Sequence, residues 1–146
     1  MPQSYTLFMK MLEDEDLELV IAKDGCIIYR GRGEGLKPLI DAIDMLGSDR
    51  LKGHILADRV VGLAVSYIAV YVGFSEIHCL IVSRHALDYL ESRGVKVFWA
   101  RLVDVILDRS KSSICPFEKL ALESGDPGKF YSSIRVRIGF EDIRGG

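Results

Sequence analysis

A small set of side chains able to do chemistry stands at the ends of short apolar segments: Lys37, Asp58, Arg59, Ser83, Cys115 and Glu118. Asp58 and Arg59 break an otherwise apolar stretch, with His54-Ile55-Leu56-Ala57 before them and a nearly continuous apolar run from Val60 to Val72 after them. Two charges in such a place are costly to desolvate, so a fold that keeps them uses them for capping, for ligand contact or for both. Asp58 reads as a cap of the following helix, and equally as a base or a group that orients a ligand. Arg59 reads either as a structural partner of Asp44 or Glu118 or as a contact for an anionic group.

Cys115 precedes Pro116 at a helix start, a position that favours thiolate in a partly exposed thiol. The plainer alternative makes it a small buried residue, with Pro116 in the first helical position and Glu118 satisfying backbone donors. Lys37 follows the loop Gly31-Arg32-Gly33-Glu34-Gly35, whose spacing is neither a Walker loop nor a dinucleotide fingerprint and reads as a flexible turn. His54, His78 and His85 are dispersed, so no metal site and no cofactor is expected. Cys26 and Cys79 sit in apolar strand segments and read as core.

These residues need a scaffold. Leu7, Phe8, Met11 and Leu12 have helical spacing, with Ser4 as N-cap, and predict an opening helix to Asp14. Leu17 to Ala22 and Cys26 to Tyr29 flank Asp24-Gly25, the signature of a tight hairpin. A helix follows from Leu36 to Leu46, with Pro38 in its first turn and Gly47 at its stop. Strand and helix then alternate: strand Gly53 to Ala57, helix Asp58 to Val72, strand Glu76 to Val82, helix Arg84 to Ser92, strand Val95 to Ala100, and a short helix over Leu102 to Leu107. This order predicts a three-layer α/β/α domain around a mixed, mainly parallel five-stranded sheet. In such a sheet ligands bind beyond the carboxyl ends of the strands, which would gather the charged residues above on one rim. The Val60 to Val72 helix is apolar on nearly every face, which implies a homo-oligomer with that helix against a second subunit.

With 146 residues, 49% hydrophobic and 27% charged, the chain fits a single domain over 1–146, with a frayed tail from Gly139. A formal net charge of −2 supplies no basic excess for nucleic acid. The acidic N-terminus lacks the pattern of a secretion signal, and no apolar run reaches the ~20 residues that span a bilayer. Three cysteines without paired spacing fit a reducing cytoplasm.

Gly35-Leu36-Lys37-Pro38-Leu39, Ala57-Asp58-Arg59-Val60-Val61-Gly62, Ile81-Val82-Ser83 and Cys115-Pro116-Phe117-Glu118 together resemble an uncharacterised prokaryotic family with a cytidine deaminase-like fold, over about residues 17–135. Cytidine deaminases carry a His-x-Glu motif at the start of the helix after the hairpin and a PCxxC zinc pair at the start of the next. Gly35-Leu36-Lys37 and Asp58-Arg59-Val60-Val61 stand in those places, without zinc ligands. The resemblance therefore implies the fold and the pocket but not the hydrolytic deamination, which needs a metal-activated water. The resulting expectation is a zinc-free protein that binds a small nucleotide-like or anionic metabolite. Lys37, Arg59 and Ser83 would contact the ligand, and Asp58, Cys115 and Glu118 would serve as reactive groups. Two alternatives stay open: a thiol-dependent enzyme built on Cys115, and a non-catalytic oligomeric interaction module.

Overall fold

The structure is a computed structural model that describes residues 2–108 and 110–138 in full and 139–145 as helical backbone. The reading of the tail from Gly139 as frayed therefore falls outside the fully described residues. Helix α1 (Gln3–Asp14) leads into strands β1 (Leu19–Lys23) and β2 (Cys26–Gly31), then α2 (Lys37–Leu46) and α3 (Ser48–Leu51). Next come β3 (Ile55–Val61), α4 (Leu63–Val72), β4 (Glu76–Ser83), α5 (Arg84–Ser92), β5 (Lys96–Phe98) and β6 (Arg101–Val103). Helices α6 (Pro116–Ser124) and α7 (Pro127–Gly145) close the chain.

The sheet runs β2-β1-β3-β4-β5, with β6 also on β4. Both contacts of β1 are antiparallel, whereas β3, β4, β5 and β6 are parallel. The short strands β5 and β6 share one edge position, since Glu76–His78 pair with Lys96–Phe98 and Ile81–Ser83 with Arg101–Val103. The expected five positions are thus filled by six segments. The short helix expected over Leu102 to Leu107 is replaced at its start by β6, because three residues paired to an existing strand need no periodicity of their own.

The hairpin forms as its turn chemistry dictates: Asp24 and Gly25 both take positive φ, 50° and 79°. Helix α1 covers one sheet face, where Tyr5 and Phe8 pack on the ring of His78 and the Tyr5 hydroxyl donates to the Cys79 carbonyl at 2.8 Å. Its N-cap is Pro2, so Ser4 lies within the helix and does not cap it. Helices α2, α4 and α5 cover the other face, with Leu39, Ile43, Ile68, Ala86 and Leu90 in the main core. This gives the three-layer α/β/α arrangement.

Helix α4 is buried along almost its whole length. Its outer side is covered within the chain by α6 and α7: Tyr71 stacks on Tyr131 with ring centroids 4.8 Å apart, and Tyr67 meets Phe130 edge-on at 5.8 Å. The apolar character that pointed to a second subunit is accounted for by these terminal helices. Cys79 is buried as expected, but Cys26 is exposed, because β2 is the sheet edge.

Candidate functional site

Strand β3 runs through Asp58 and Arg59 to Val61, and α4 starts only at Leu63. Asp58 therefore caps no helix. It lies opposite Leu19 on β1 and Cys79 on β4, 3% exposed. Burial pushes its carboxyl well above the ordinary range, the Glu18 carboxylate pushes it further, and the backbone of Val60 and Arg59 and the Arg59 cation oppose that rise only in part. Asp58 in turn adds to the burial that drives the Cys79 thiol up.

Arg59 pairs with neither Asp44, which binds Arg135, nor Glu118. Its Nε donates to the Leu17 carbonyl and its Nη2 to the Leu12 carbonyl, both at 2.6 Å, with Asp16 Oδ1 at 3.4 Å. The guanidinium thus fastens the end of α1 to the segment after it, sharing the Leu12 carbonyl with the Leu17 N–H at a helix terminus that carries partial negative charge. Ser83 caps α5, its Oγ accepting from the Ala86 N–H at 3.2 Å, and it lines neither of the two cavities described below.

Glu118, 6% exposed, does satisfy backbone donors, but those of α4 and not of its own helix. Its Oε2 accepts from Leu63 N–H and its Oε1 from Ala64 N–H, both at 2.8 Å. Two charge-assisted bonds at a helix N-terminus suit a carboxylate. Burial nonetheless raises its pKa, against the pull of the Ala64 and Leu63 amides and the nearby His85. Gly62 leaves the space this carboxylate fills, since a Cβ there would overlap it.

Beyond the carboxyl ends of β3, β4 and β6 lies a cleft of about 1200 Å³. Lys37, Cys115 and Glu118 line it, over an apolar wall that includes Val60, Val65, Ile81, Val103 and Phe117. Cys115 is the N-cap of α6 and half-buried. Lys37, at the start of α2, bonds Asp41 one turn on at 3.1 and 3.2 Å. At the rim the Asp108 carboxylate binds the Ser113 and Ser110 hydroxyls at 2.7 and 2.8 Å, and these bonds hold its pKa down to about 2. A smaller chamber of about 350 Å³ adjoins the cleft, lined by Asp16, Leu17, Glu18, Arg32, Gly33, Glu34 and Arg59.

Of the residues singled out from sequence, the cleft brings together Lys37, Cys115 and Glu118. Arg59 faces the smaller chamber, and Asp58 and Ser83 line neither. Sequence reasoning missed Glu18, which lines both. Its only signal was an acid at the head of an apolar strand.

The family model described as a domain of unknown function (DUF1893) matches residues 7–138. The chain belongs to the DUF1893 family. A DUF1893 family protein from Thermotoga maritima, known from its crystal structure, superposes with a TM-score of 0.82 at 26% identity, covering 94% of this chain and 92% of the other. The dCMP deaminase of cyanophage S-TIM5 in apo form matches with a TM-score of 0.53 at 15% identity, over 70% of this chain and 99% of that one. A diaminohydroxyphosphoribosylaminopyrimidine deaminase/5-amino-6-(5-phosphoribosylamino)uracil reductase from Thermotoga maritima gives 0.50 at 19%, over 79% and 40%. No curated protein matches the chain. The DUF1893 fold is accordingly cytidine deaminase-like.

Zinc, which that fold implies, is not suited by the residues present. Among the described residues no three His, Cys, Asp or Glu side chains converge. The start of α2 offers the cation Lys37, and the start of α4 is Gly62-Leu63, not Asp58 to Val61, with its amides taken by Glu118. Among the described residues no helix is long and apolar enough to cross a membrane.

Proposed function

We propose that this chain is a zinc-free member of its fold that binds a small nucleotide-like or otherwise anionic metabolite in the larger cleft. The observation that carries this reading is the position and lining of the cleft. It opens at the carboxyl ends of parallel strands, where open α/β sheets bind ligands. Its wall is apolar enough for a ring or chain, and Lys37, Arg101 and Lys111 supply cations around it. Lys37 contacts the anionic group, and Phe117 and Val103 flank the body of the ligand. The odd number of unpaired cysteines favours a reducing cytoplasm as the place of action.

The test is a thermal-shift panel of nucleoside monophosphates and small carboxylates with wild type and Lys37→Ala. A ligand at 100 times its Kd stabilises by about 2.7 kcal/mol, which a melting curve resolves. At least one anion raises the melting temperature of wild type and not of Lys37→Ala. Absence of any shift, or equal shifts in both proteins, overturns the reading.

A thiol-dependent enzyme is the second reading, favoured by one observation: Cys115 lines this same cleft. Cysteine chemistry there would be modulated by whatever fills the cleft.

A further inference from the structure

The two chambers meet at Glu18 and Glu34, which line both. The backbone of Glu18 is fixed from two sides, its N–H donating to the Gly31 carbonyl at 2.8 Å and its carbonyl accepting from the Arg59 N–H at 3.3 Å. The side chain therefore springs from a rigid point between β2 and β3. Arg59 is fixed as well, by its two 2.6 Å bonds to the end of α1, while it still lines the smaller chamber beside Arg32. Gly33, at φ 118°, brings bare backbone to the same wall.

The smaller chamber thus holds acids and guanidinium groups of both signs within about 350 Å³, at the small end of ligand cavities and ample for a head group. A pure anion there meets Asp16, Glu18 and Glu34, and a pure cation meets Arg32 and Arg59, the latter already facing Asp16 Oδ1 at 3.4 Å. A zwitterionic head meets both in register. Burial raises the pKa of Glu18 and the pull of Arg59 offsets that only in part, so a nitrogen donor in the chamber would offset more of the desolvation cost.

We infer that the two chambers form one bipartite site for a ligand with an amino-acid-type head: its nitrogen lies against Glu18 and Glu34, its carboxylate against Arg32 and Arg59, and its apolar body in the larger cleft. This rests on the larger cleft being a ligand site, and it narrows the ligand class: the head's carboxylate goes to Arg32 and Arg59, and Lys37 is left to a second anionic group carried on the body.

The experiment is calorimetric titration with L-phenylalanine, 3-phenylpropionate and 2-phenylethylamine, three probes that share a body and differ only in the head, with uridine monophosphate as a purely anionic comparison. L-Phenylalanine binds most tightly, and loss of either head group weakens binding by about tenfold or more, the worth of one charge-assisted bond. Glu34→Gln, at an exposed position, abolishes the preference for L-phenylalanine over 3-phenylpropionate, and Glu18→Gln does the same if it folds. Arg32→Ala abolishes the preference over 2-phenylethylamine. Equal affinities for the three probes, or preferences unchanged in the variants, overturn the bipartite head-group site. Binding of uridine monophosphate alone overturns it while leaving the cleft reading intact, and a full ligand panel without binding removes both.

Discussion

The Glu118 carboxylate occupies the space that a side chain on Gly62 would need, and from there it holds the Leu63 and Ala64 amides. The arrangement joins α6 to the first turn of α4 across 55 residues of sequence. Gly62 adopts φ −101°, open to any residue, so its requirement for glycine is one of space and not of backbone strain. Gly62→Ala should destabilise the protein by about 2 kcal/mol by displacing a buried, doubly bonded carboxylate, and Glu118→Ala by about 2–4 kcal/mol through two orphaned amides. Urea unfolding of both single variants and the double variant checks this. The double variant should cost clearly less than the sum, because each change removes the same contact; additive losses would show that the two residues act separately.

Asp58 predicts a pH dependence with a definite sign. Its pKa in the folded chain stands well above that of the unfolded chain, so between those two values the folded state holds more protons. Stability is then greatest at and below the ordinary carboxylate range and falls as pH rises toward the folded pKa, by about 1.4 kcal/mol for each unit of difference. Glu18 and Glu118, both raised, add slopes of the same sign. Asp58→Asn should melt at or above wild type at pH 8 and lose that advantage at pH 5. A variant less stable than wild type at pH 8 would mean that the charged form is needed.

Arg59 acts as a clasp on the end of α1. Arg59→Lys keeps the charge but cannot donate to Leu12 and Leu17 together in the same plane. The expected cost is about 1–3 kcal/mol, with amide exchange accelerated in α1 and the 15–18 segment more than in β4. Uniform acceleration over the whole chain would contradict a local clasp.

Much of this fold was legible because it rests on local rules. Asp24-Gly25 dictates its turn, Pro38 and Gly47 bound α2, and α5 starts at Arg84 as expected, although Ser83, expected to contact a ligand, proves to be its cap. The misreadings share a different cause. Asp58 and Arg59 resemble a strand-to-helix joint because charges usually end a buried strand; here Leu12 and Leu17, more than 40 residues away in sequence, supply the acceptors that let β3 continue. Cys26 has apolar neighbours and reads as core, yet its strand lies at the sheet edge, which only the strand order reveals. Glu118 shows the same limit. Its acceptor role was legible from its place in a first helical turn, but the helix that it serves is set by how α6 packs on α4.

The three cysteines give a graded test of the cleft. Cys26 is exposed on an edge strand, Cys115 is half-buried in the cleft wall, and Cys79 is fully buried with its thiol pKa driven up by burial and by Asp58. Alkylation followed by peptide mass analysis should therefore rank them Cys26, then Cys115, then Cys79, with Cys79 modified only on unfolding. Filling the cleft with a bound anion should slow Cys115 several-fold and leave Cys26 unchanged, because only Cys115 shares the cavity with Lys37. A Cys115 that reacts faster than Cys26 at pH 7 would instead mark an activated thiolate and favour the thiol-dependent enzyme. Protection of Cys26 and Cys115 to the same degree would show that the ligand stabilises the whole fold without occupying this cleft.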